Sequence, residues 1–531
     1  MNIMTRRAPM RLLATLLLAA LSAVLPATAS AQAGADPAMS PVAPIAAPAG
    51  CAYTEIASVP IRYVGPGMAP AIDGIIEGTP ATMLVDTGAY LVQLTMNGVN
   101  RRNMALHRTQ RTVRGFGGSS PVYTVQVRDF AVGPARVSRR LELDVIGEAR
   151  LTPAFDAIVG SPFLLQSDLE IDLRAKRMRF FRPRDCAQTT LTPWPEQTFV
   201  IPYTRVPQRH PNPHFTVVVN GQKLDAVIDT GAHRTVMLLG AAKKAGIDVA
   251  GPQARRLGNV VGIGLDMAPY WSARAKTIEI GGATLRDAEI GIVDAQADLD
   301  ADLYLGQDFL RAHRVLFAAS QRKLYVAYLG GEVFSNAGLG PLIRAEAEGG
   351  NPDAQYSLAT MYARRNKGEQ DARQARAWLE KAAAGGEPHA ILQIGRQLTL
   401  AGQLDDGIRQ LRAALDQLPA DRHGALWLYT ARVRNGVPGL GKRELEDSLA
   451  RQVPADEWPQ PVARFYLGQI DAAGLLEIAG KERQLAATRT CEATRYMAEL
   501  HDARGEAAQA ADLKARAGAA CGPAAREAAG P

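Results

Sequence analysis

Cysteine is scarce, with four residues in a chain of 531 and none in a Cys-x-x-Cys pair. The spacings that hold structural zinc or run dithiol redox chemistry are therefore missing. So are His-Glu-x-x-His, Gly-x-Ser-x-Gly and the phosphate-binding Gly-x4-Gly-Lys-Ser/Thr, which removes the common signatures of zinc peptidases, serine hydrolases and nucleotide-binding loops. The glycine-rich string at 115–119 leads into no helical pattern that could hold a phosphate. Positive charge in blocks is lacking too. The formal charge is +7, but Arg6, Arg7 and Arg11 supply three of those charges within the first dozen residues. No Lys/Arg cluster interleaved with aromatics follows, so nucleic acid is not an expected partner. After residue 25 no apolar run reaches the ~20 residues that span a bilayer, so no stable membrane insertion is expected once the N-terminal segment is removed.

That segment has the form of an export signal, with a positive start, an apolar stretch over 12–25, and Ala29-Ser30-Ala31 as a small-x-small cleavage site. Cleavage after Ala31 and an exported, periplasmic or secreted, mature chain are the expectation; an uncleaved anchor is the alternative. Residues 32–50 are rich in Ala and Pro without periodicity and read as a linker. The four cysteines suit an oxidising compartment. Cys51 and Cys186 bracket one region and Cys491 and Cys521 another. Pairing 51–186 and 491–521 would staple each end separately, although four cysteines allow three connectivities.

What the sequence does contain is a duplication. Over 52–330, short apolar runs are cut by Gly, Pro, Asn and Asp, the texture of an all-β region. Within it, Gly78 precedes Met83-Leu84-Val85-Asp86-Thr87-Gly88-Ala89, and Gly221 precedes Ala226-Val227-Ile228-Asp229-Thr230-Gly231-Ala232, each glycine eight residues before its aspartate. Each copy later carries an apolar run ending in glycine, Ala157-Ile158-Val159-Gly160 and Leu303-Tyr304-Leu305-Gly306, followed at one offset by Phe163-Leu164 and Phe309-Leu310. Four landmarks in one order at nearly one spacing identify an internal repeat.

The repeated Asp-Thr-Gly carries a chemical implication. A strand delivers the carboxylate to the edge of the core, glycine allows the sharp turn that keeps it accessible, and threonine can lock the loop through its hydroxyl. Two such loops about a pseudo-twofold axis set two carboxylates side by side. Carboxylates ~3 Å apart share one proton, so one can take a proton from water while the other donates to a carbonyl. The chemistry calls for neither metal nor cofactor. Asp86 and Asp229 are the candidate catalytic pair, with Thr87, Gly88, Thr230 and Gly231 as the supporting loops.

The paired Asp-Thr-Gly-Ala motifs and their later apolar-Gly segments resemble the retropepsin-like aspartic proteases. The resemblance covers about residues 55–328. It implies a closed β-barrel-like lobe per copy, threonines interlocked beneath the dyad, a polypeptide substrate, and a glycine-rich flap over the cleft. Candidate flap residues are Gly115, Phe116, Gly117 and Gly118 in the first lobe and Gly262 and Gly264 in the second. The copies depart from each other: Gly160-Ser161-Pro162 stands against Gly306-Gln307-Asp308, and Glu170-Ile171-Asp172-Leu173 against the acid-free Val315-Leu316-Phe317. His233, directly after the second motif, reads as a solvated loop residue or a cleft-lining one, and Tyr270-Trp271 as hairpin packing.

Beyond residue 340 the texture turns helical. Gly349-Gly350-Asn351-Pro352-Asp353-Ala354 recurs as Gly385-Gly386-Glu387-Pro388-His389-Ala390, a period of 36, which implies stacked helix pairs. Ala354-Gln355-Tyr356-Ser357-Leu358-Ala359 and Ala377-Trp378-Leu379 resemble Sel1-like units, and the stretch from Cys491 to Cys521 is more similar to a tetratricopeptide repeat. Such arrays bind protein partners; the plainer alternative is that the tail only stabilises the β lobes. The expected architecture is thus a multidomain chain: signal (1–31), linker (32–50), two all-β lobes (51–190 and 191–330), a linker (331–340) and an all-α helical-repeat domain (341–531). The expected function is that of an exported aspartic endopeptidase whose dyad forms within one chain. Pairing of lobes between two chains, or a non-catalytic peptide-binding scaffold, are the rivals.

Overall fold

The computed structural model describes residues 50–521 apart from 117, 138, 147–154, 193, 207–209, 261, 263–267, 296–298, 335–338, 366–367, 420, 452–457 and 482–484. The expected signal and nearly all of the linker lie outside the described residues, as do Gly117 and Gly264.

Each Asp-Thr-Gly motif ends a strand in a sheet of its own. In the first lobe, Thr79–Asp86 lies between antiparallel Ala69–Ile76 and parallel Ala157–Gly160, with Gly160 in register with Asp86. In the second, Gln222–Ile228 lies between His210–Val219 and parallel Leu303–Leu305, with Ile228 opposite Leu305. The landmarks of the repeat, an apolar-Asp run and an apolar-Gly run, are therefore neighbouring strands. The hairpin glycines sit where the chain reverses with positive φ, Gly78 at 74° and Gly221 at 81°, a region that costs glycine little. The second sheet closes on itself through pairing of His210–Val219 with Ala268–Ile280. No corresponding closing pair occurs in the first lobe among the described residues.

A third, six-stranded sheet joins the lobes. Its order is Ala52–Pro60, Arg177–Arg184, Asp168–Asp172, His313–Ala318, Lys323–Tyr328, Thr198–Pro202. The lobes meet where Leu169 faces Phe317 and Ile171 faces Val315, all of them fully buried. This location accounts for the difference between Glu170-Ile171-Asp172 and Val315-Leu316-Phe317. On the first-lobe strand, Glu170 pairs with Arg179 and accepts from the Trp194 indole, and Asp172 pairs with Arg314; the neighbouring strand contributes apolar residues to the shared core. A disulfide joins Cys51 to Cys186 at the edge of this sheet.

The C-terminal region is all helical, from Leu339–Glu348 to Ala507–Ala520. Its repeated Gly-Gly-x-Pro string marks a helix boundary. Gly350 and Gly386 adopt φ of 92° and 87° after the ends of helices, and Pro352 and Pro388 begin the next ones. Glycine ends a helix by entering the left-handed region, and proline tolerates the first turn because its missing N–H would be unpaired there. Helix pairs such as Pro388–Leu400 with Leu404–Gln417 bury Ile391, Leu392, Ile408 and Leu411 in a common core. Cys491 and Cys521 are disulfide-bonded within the last pair. Among the described residues no helix is long and apolar enough to cross a membrane.

Candidate active site

The two Asp-Thr-Gly loops interlock. The Thr87 N–H donates to Thr230 Oγ1 (2.9 Å) and the Thr230 N–H donates to Thr87 Oγ1 (3.1 Å). Each hydroxyl in turn donates to the opposite strand: Thr87 Oγ1 to the Ile228 carbonyl (2.6 Å) and Thr230 Oγ1 to the Val85 carbonyl (2.7 Å). Both threonines are fully buried, so loss of any of these bonds would leave a polar group unpaired in the core. Asn212 adds a second donor to the Ile228 carbonyl (3.1 Å).

Above this lock stand the carboxyls. Asp86 Oδ1 accepts from the Gly88 and Ala89 N–H groups (2.9 and 3.0 Å), and Asp229 Oδ1 accepts from Gly231 and Ala232 (2.9 and 3.2 Å). The glycines are required by the opposite loop. A Cβ on Gly88 would come within 2.6 Å of the Asp229 carboxyl, and one on Gly231 within 2.6 Å of the Asp86 carboxyl. The carboxyls hydrogen-bond to each other. Burial, and then the charge of Asp229, push the Asp86 carboxyl well above the usual range. Burial raises Asp229 as well, against the hydrogen bond it takes from Asp86 and the backbone donors. Both carboxyls are thus raised and hydrogen-bonded to each other, and the pair titrates as a unit.

The Ser161-for-Gln307 difference between the copies has a local cause. Ser161 N and Oγ both bond the Ala89 carbonyl (2.9 and 3.0 Å). Gln307 N bonds the corresponding Ala232 carbonyl (2.8 Å), and its longer side chain reaches on to the Thr230 carbonyl (3.1 Å). Asp308 accepts from both the N–H and the hydroxyl of Thr235 (2.7 Å each).

Residues not anticipated from the sequence form a linked group beside Asp229. Tyr90, directly after the first motif, donates across the lobes to Asp300. Tyr304 Oη also donates to Asp300 (2.9 Å). His214 lies between two carboxylates, Asp225 at 2.6 Å and Asp300 at 3.3 Å. Those hydrogen bonds, Asp225 first, lift its imidazole to about 9 against the opposing effect of burial. Burial would raise Asp300, but the bonds from His214, Tyr304 and Tyr90 outweigh it and hold the carboxyl at about 2. The charge of Asp300 acts in turn on Asp229. Tyr90 had a local signal, since it occupies in the first copy the place of His233 in the second. His214 and Asp300 had none, being 86 residues apart and joined only by folding.

Of the flap candidates, Gly115 and Gly118 face each other at the end of the hairpin His107–Gly115 and Gly118–Val127, with Gly118 at a φ of 89°. Phe116 at its tip meets the Tyr304 ring edge-on, with centroids 5.4 Å apart, and packs on a second-lobe cluster that includes Val227 and Val236. The first-lobe hairpin thus crosses to the second lobe beside the dyad strand. Gly262 lies beyond the strand Ala254–Val260, whose Val260 pairs with Ala268. Tyr270 is buried in the same cluster, and Trp271 stacks under Arg256, so both are hairpin packing. His233 is exposed along its outer edge, yet its inner face lies on Gly67 of the other lobe. Desolvation of that face, and then the Arg311 guanidinium, lower its pKa. Among the described residues no cluster of His, Cys, Asp and Glu is arranged to hold a metal.

Two β lobes, each contributing one Asp-Thr-Gly loop to a shared carboxyl pair, define an aspartic-protease fold. Residues 72–163 and 215–309 each match the aspartyl protease family model, one segment per lobe. The chain is also similar to the crystal structure of an aspartic proteinase from Irpex lacteus, at 12% identity and a TM-score of 0.35, covering 54% of this chain and 99% of that one. A search of curated proteins finds no match. The family supports a peptidase-type function acting on polypeptide.

Proposed function

We propose that the protein is an exported endopeptidase that hydrolyses peptide bonds with Asp86 and Asp229. The observation that carries this reading is the hydrogen-bonded carboxyl pair held over interlocked Thr87 and Thr230. In this mechanism Asp229, the charged partner, takes a proton from a water between the carboxyls. Asp86 passes its proton to the scissile carbonyl oxygen as the water oxygen attacks the carbon, giving a tetrahedral diol. The proton now on Asp229 passes to the leaving nitrogen as the C–N bond breaks, and one diol hydroxyl returns its proton to Asp86 as the new carbonyl forms. Backbone N–H donors from residues 88, 89, 231 and 232 keep the carboxyls fixed throughout. The hairpin carrying Phe116 has the place of a flap, and an extended peptide would run beneath it. Both dyad loops come from one chain, which supports an intramolecular site. The N-terminal pattern and the two disulfides support export into an oxidising compartment. The helix pairs, read as Sel1-like repeats, would hold substrate or a protein partner.

The test is cleavage of a diverse peptide library by the chain lacking residues 1–31, across about pH 3 to 8, against Asp86→Asn and Asp229→Asn. Cutting by the wild type, abolished in each variant of a monomeric protein, is the expected result. A folded wild type that cuts nothing while retaining peptides would turn the reading toward a binding scaffold.

A further inference from the structure

The helical domain is joined to the second dyad loop through one short turn, residues 65–68, between strands Arg62–Val64 and Ala69–Ile76. On the helical side, the Gly65 N–H donates to Asp353 Oδ1 (2.8 Å), and Asn351 Nδ2 donates to the Tyr63 carbonyl (3.0 Å). Lys176 pairs with Glu346 beside them. Met68 is 0% exposed and packs with Ile343, Ala347 and Leu358 of the first two helices. Its φ is 54°, a region unfavourable for a residue with a long side chain. A non-glycine residue keeps such a conformation where the surroundings over-determine it, and here the surroundings are the helices.

On the other side, the same turn touches the catalytic loop. The Arg311 guanidinium donates to the Gly67 carbonyl (3.5 Å) and to Gln307 Oε1 (2.7 Å), and Gln307 Nε2 donates to the Thr230 carbonyl (3.1 Å). The His233 ring, two residues past Gly231, rests on Gly67 so closely that a Cβ there would come within 2.0 Å of it. Among the described residues the first loop shows no corresponding connection: the N–H and hydroxyl of Ser161, in the place of Gln307, both bond the Ala89 carbonyl.

We propose that the helical domain positions the second Asp-Thr-Gly loop through the 65–68 turn, so that a ligand or partner moving its first helix pair changes the peptidase activity. The effect on activity rests on the dyad reading; the mechanical coupling does not. Asp353, Gly67 and His233 act through other groups and are positioning residues.

The experiment uses the full mature chain with Asp353→Ala, Asp353→Asn, Gly67→Ala and Gly67→Ala/His233→Ala. Gly67 does not have positive φ, so alanine there is tolerated by the backbone and acts through its methyl on the ring. Asp353→Ala and Gly67→Ala should each lower kcat about tenfold with KM little changed, since small misplacements of a reacting group weigh on the chemical step. Asp353→Asn keeps an acceptor for Gly65 and should recover, and removing the His233 ring should relieve Gly67→Ala. Hydrogen exchange supplies a readout free of activity. In Asp353→Ala, amides of 229–235 should exchange faster while those of 86–91 stay protected. Unchanged exchange at 229–235 would overturn the coupling even if the enzyme is active. Faster exchange in a protein that cuts nothing would uphold the coupling and sink the dyad reading instead.

Discussion

The two Asp-Thr-Gly loops are alike at their base and unlike at their flanks. Beneath the carboxyls, each threonine makes the same pair of bonds to the opposite copy, at distances between 2.6 and 3.1 Å. One residue past each motif the equivalence ends. Tyr90 reaches from the first lobe to a carboxylate, Asp300, backed by His214 and Asp225. His233 reaches from the second lobe to a bare glycine backed by Arg311 and the helical domain. The base has to be symmetric because its function is to bring two equal groups together. The flanks are free to diverge: a carboxylate held by His214 and Tyr304 stands behind Tyr90, and the Arg311 guanidinium stands behind His233.

The comparison can be broken most severely at the dyad. Asp86→Asn and Asp229→Asn should each lower peptide cleavage by about 10²–10⁴-fold or more, because either change leaves a pair that cannot hold one proton and one charge; steady-state assays of both variants measure it. Gly88→Ala and Gly231→Ala test whether the loops are equivalent above the threonines. Each added methyl meets the opposing carboxyl at 2.6 Å, and both should cost about 10²-fold in kcat with near-native circular dichroism.

The base offers a finer test. Thr230→Val strips the Thr87 N–H of its acceptor and the Val85 carbonyl of its donor, costing about 1–3 kcal/mol for each group left unpaired. Thr87→Val should cost less in denaturant unfolding, because the Ile228 carbonyl keeps Asn212 as a donor.

The charged flank predicts two pH effects. His214 is lifted from 6.5 to about 9, so its stabilisation is complete below about pH 6.5 and is lost as pH rises through about 9. The unfolding free energy of wild type, from denaturant titrations, should fall over that interval relative to His214→Phe, by an amount on the order of 2 kcal/mol. The smallest effect is expected from Asp300→Asn. Removing a negative charge that raises Asp229 should move the acid limb of kcat/KM to lower pH. An unmoved limb would mean that Asp300 acts only on its partners Tyr90, Tyr304 and His214.

Much of this architecture could be read before folding. The duplication, the strand that ends in each aspartate, the helix boundaries at Gly-Gly-x-Pro and the change from β to α texture all arise from local pattern, in which residue spacing reflects a period of two or of 3.6. The candidate carboxyls were legible because their chemistry requires a motif twice over. The six-stranded sheet was not, since its central contact, Leu169 against Phe317, joins residues 148 positions apart with no mark on either. His233 likewise gave no sign of its packing on Gly67.

By itself, then, the sequence determined that two like loops exist and what their aspartates could do together, because both follow from repetition and from the ordinary chemistry of carboxylic acids. Only the tertiary structure decided how the two carboxyls meet, what stands behind each loop, and that the helices reach toward the second loop through the 65–68 turn. Those outcomes depend on burial and on contacts between distant segments, and both arise when the chain closes on itself.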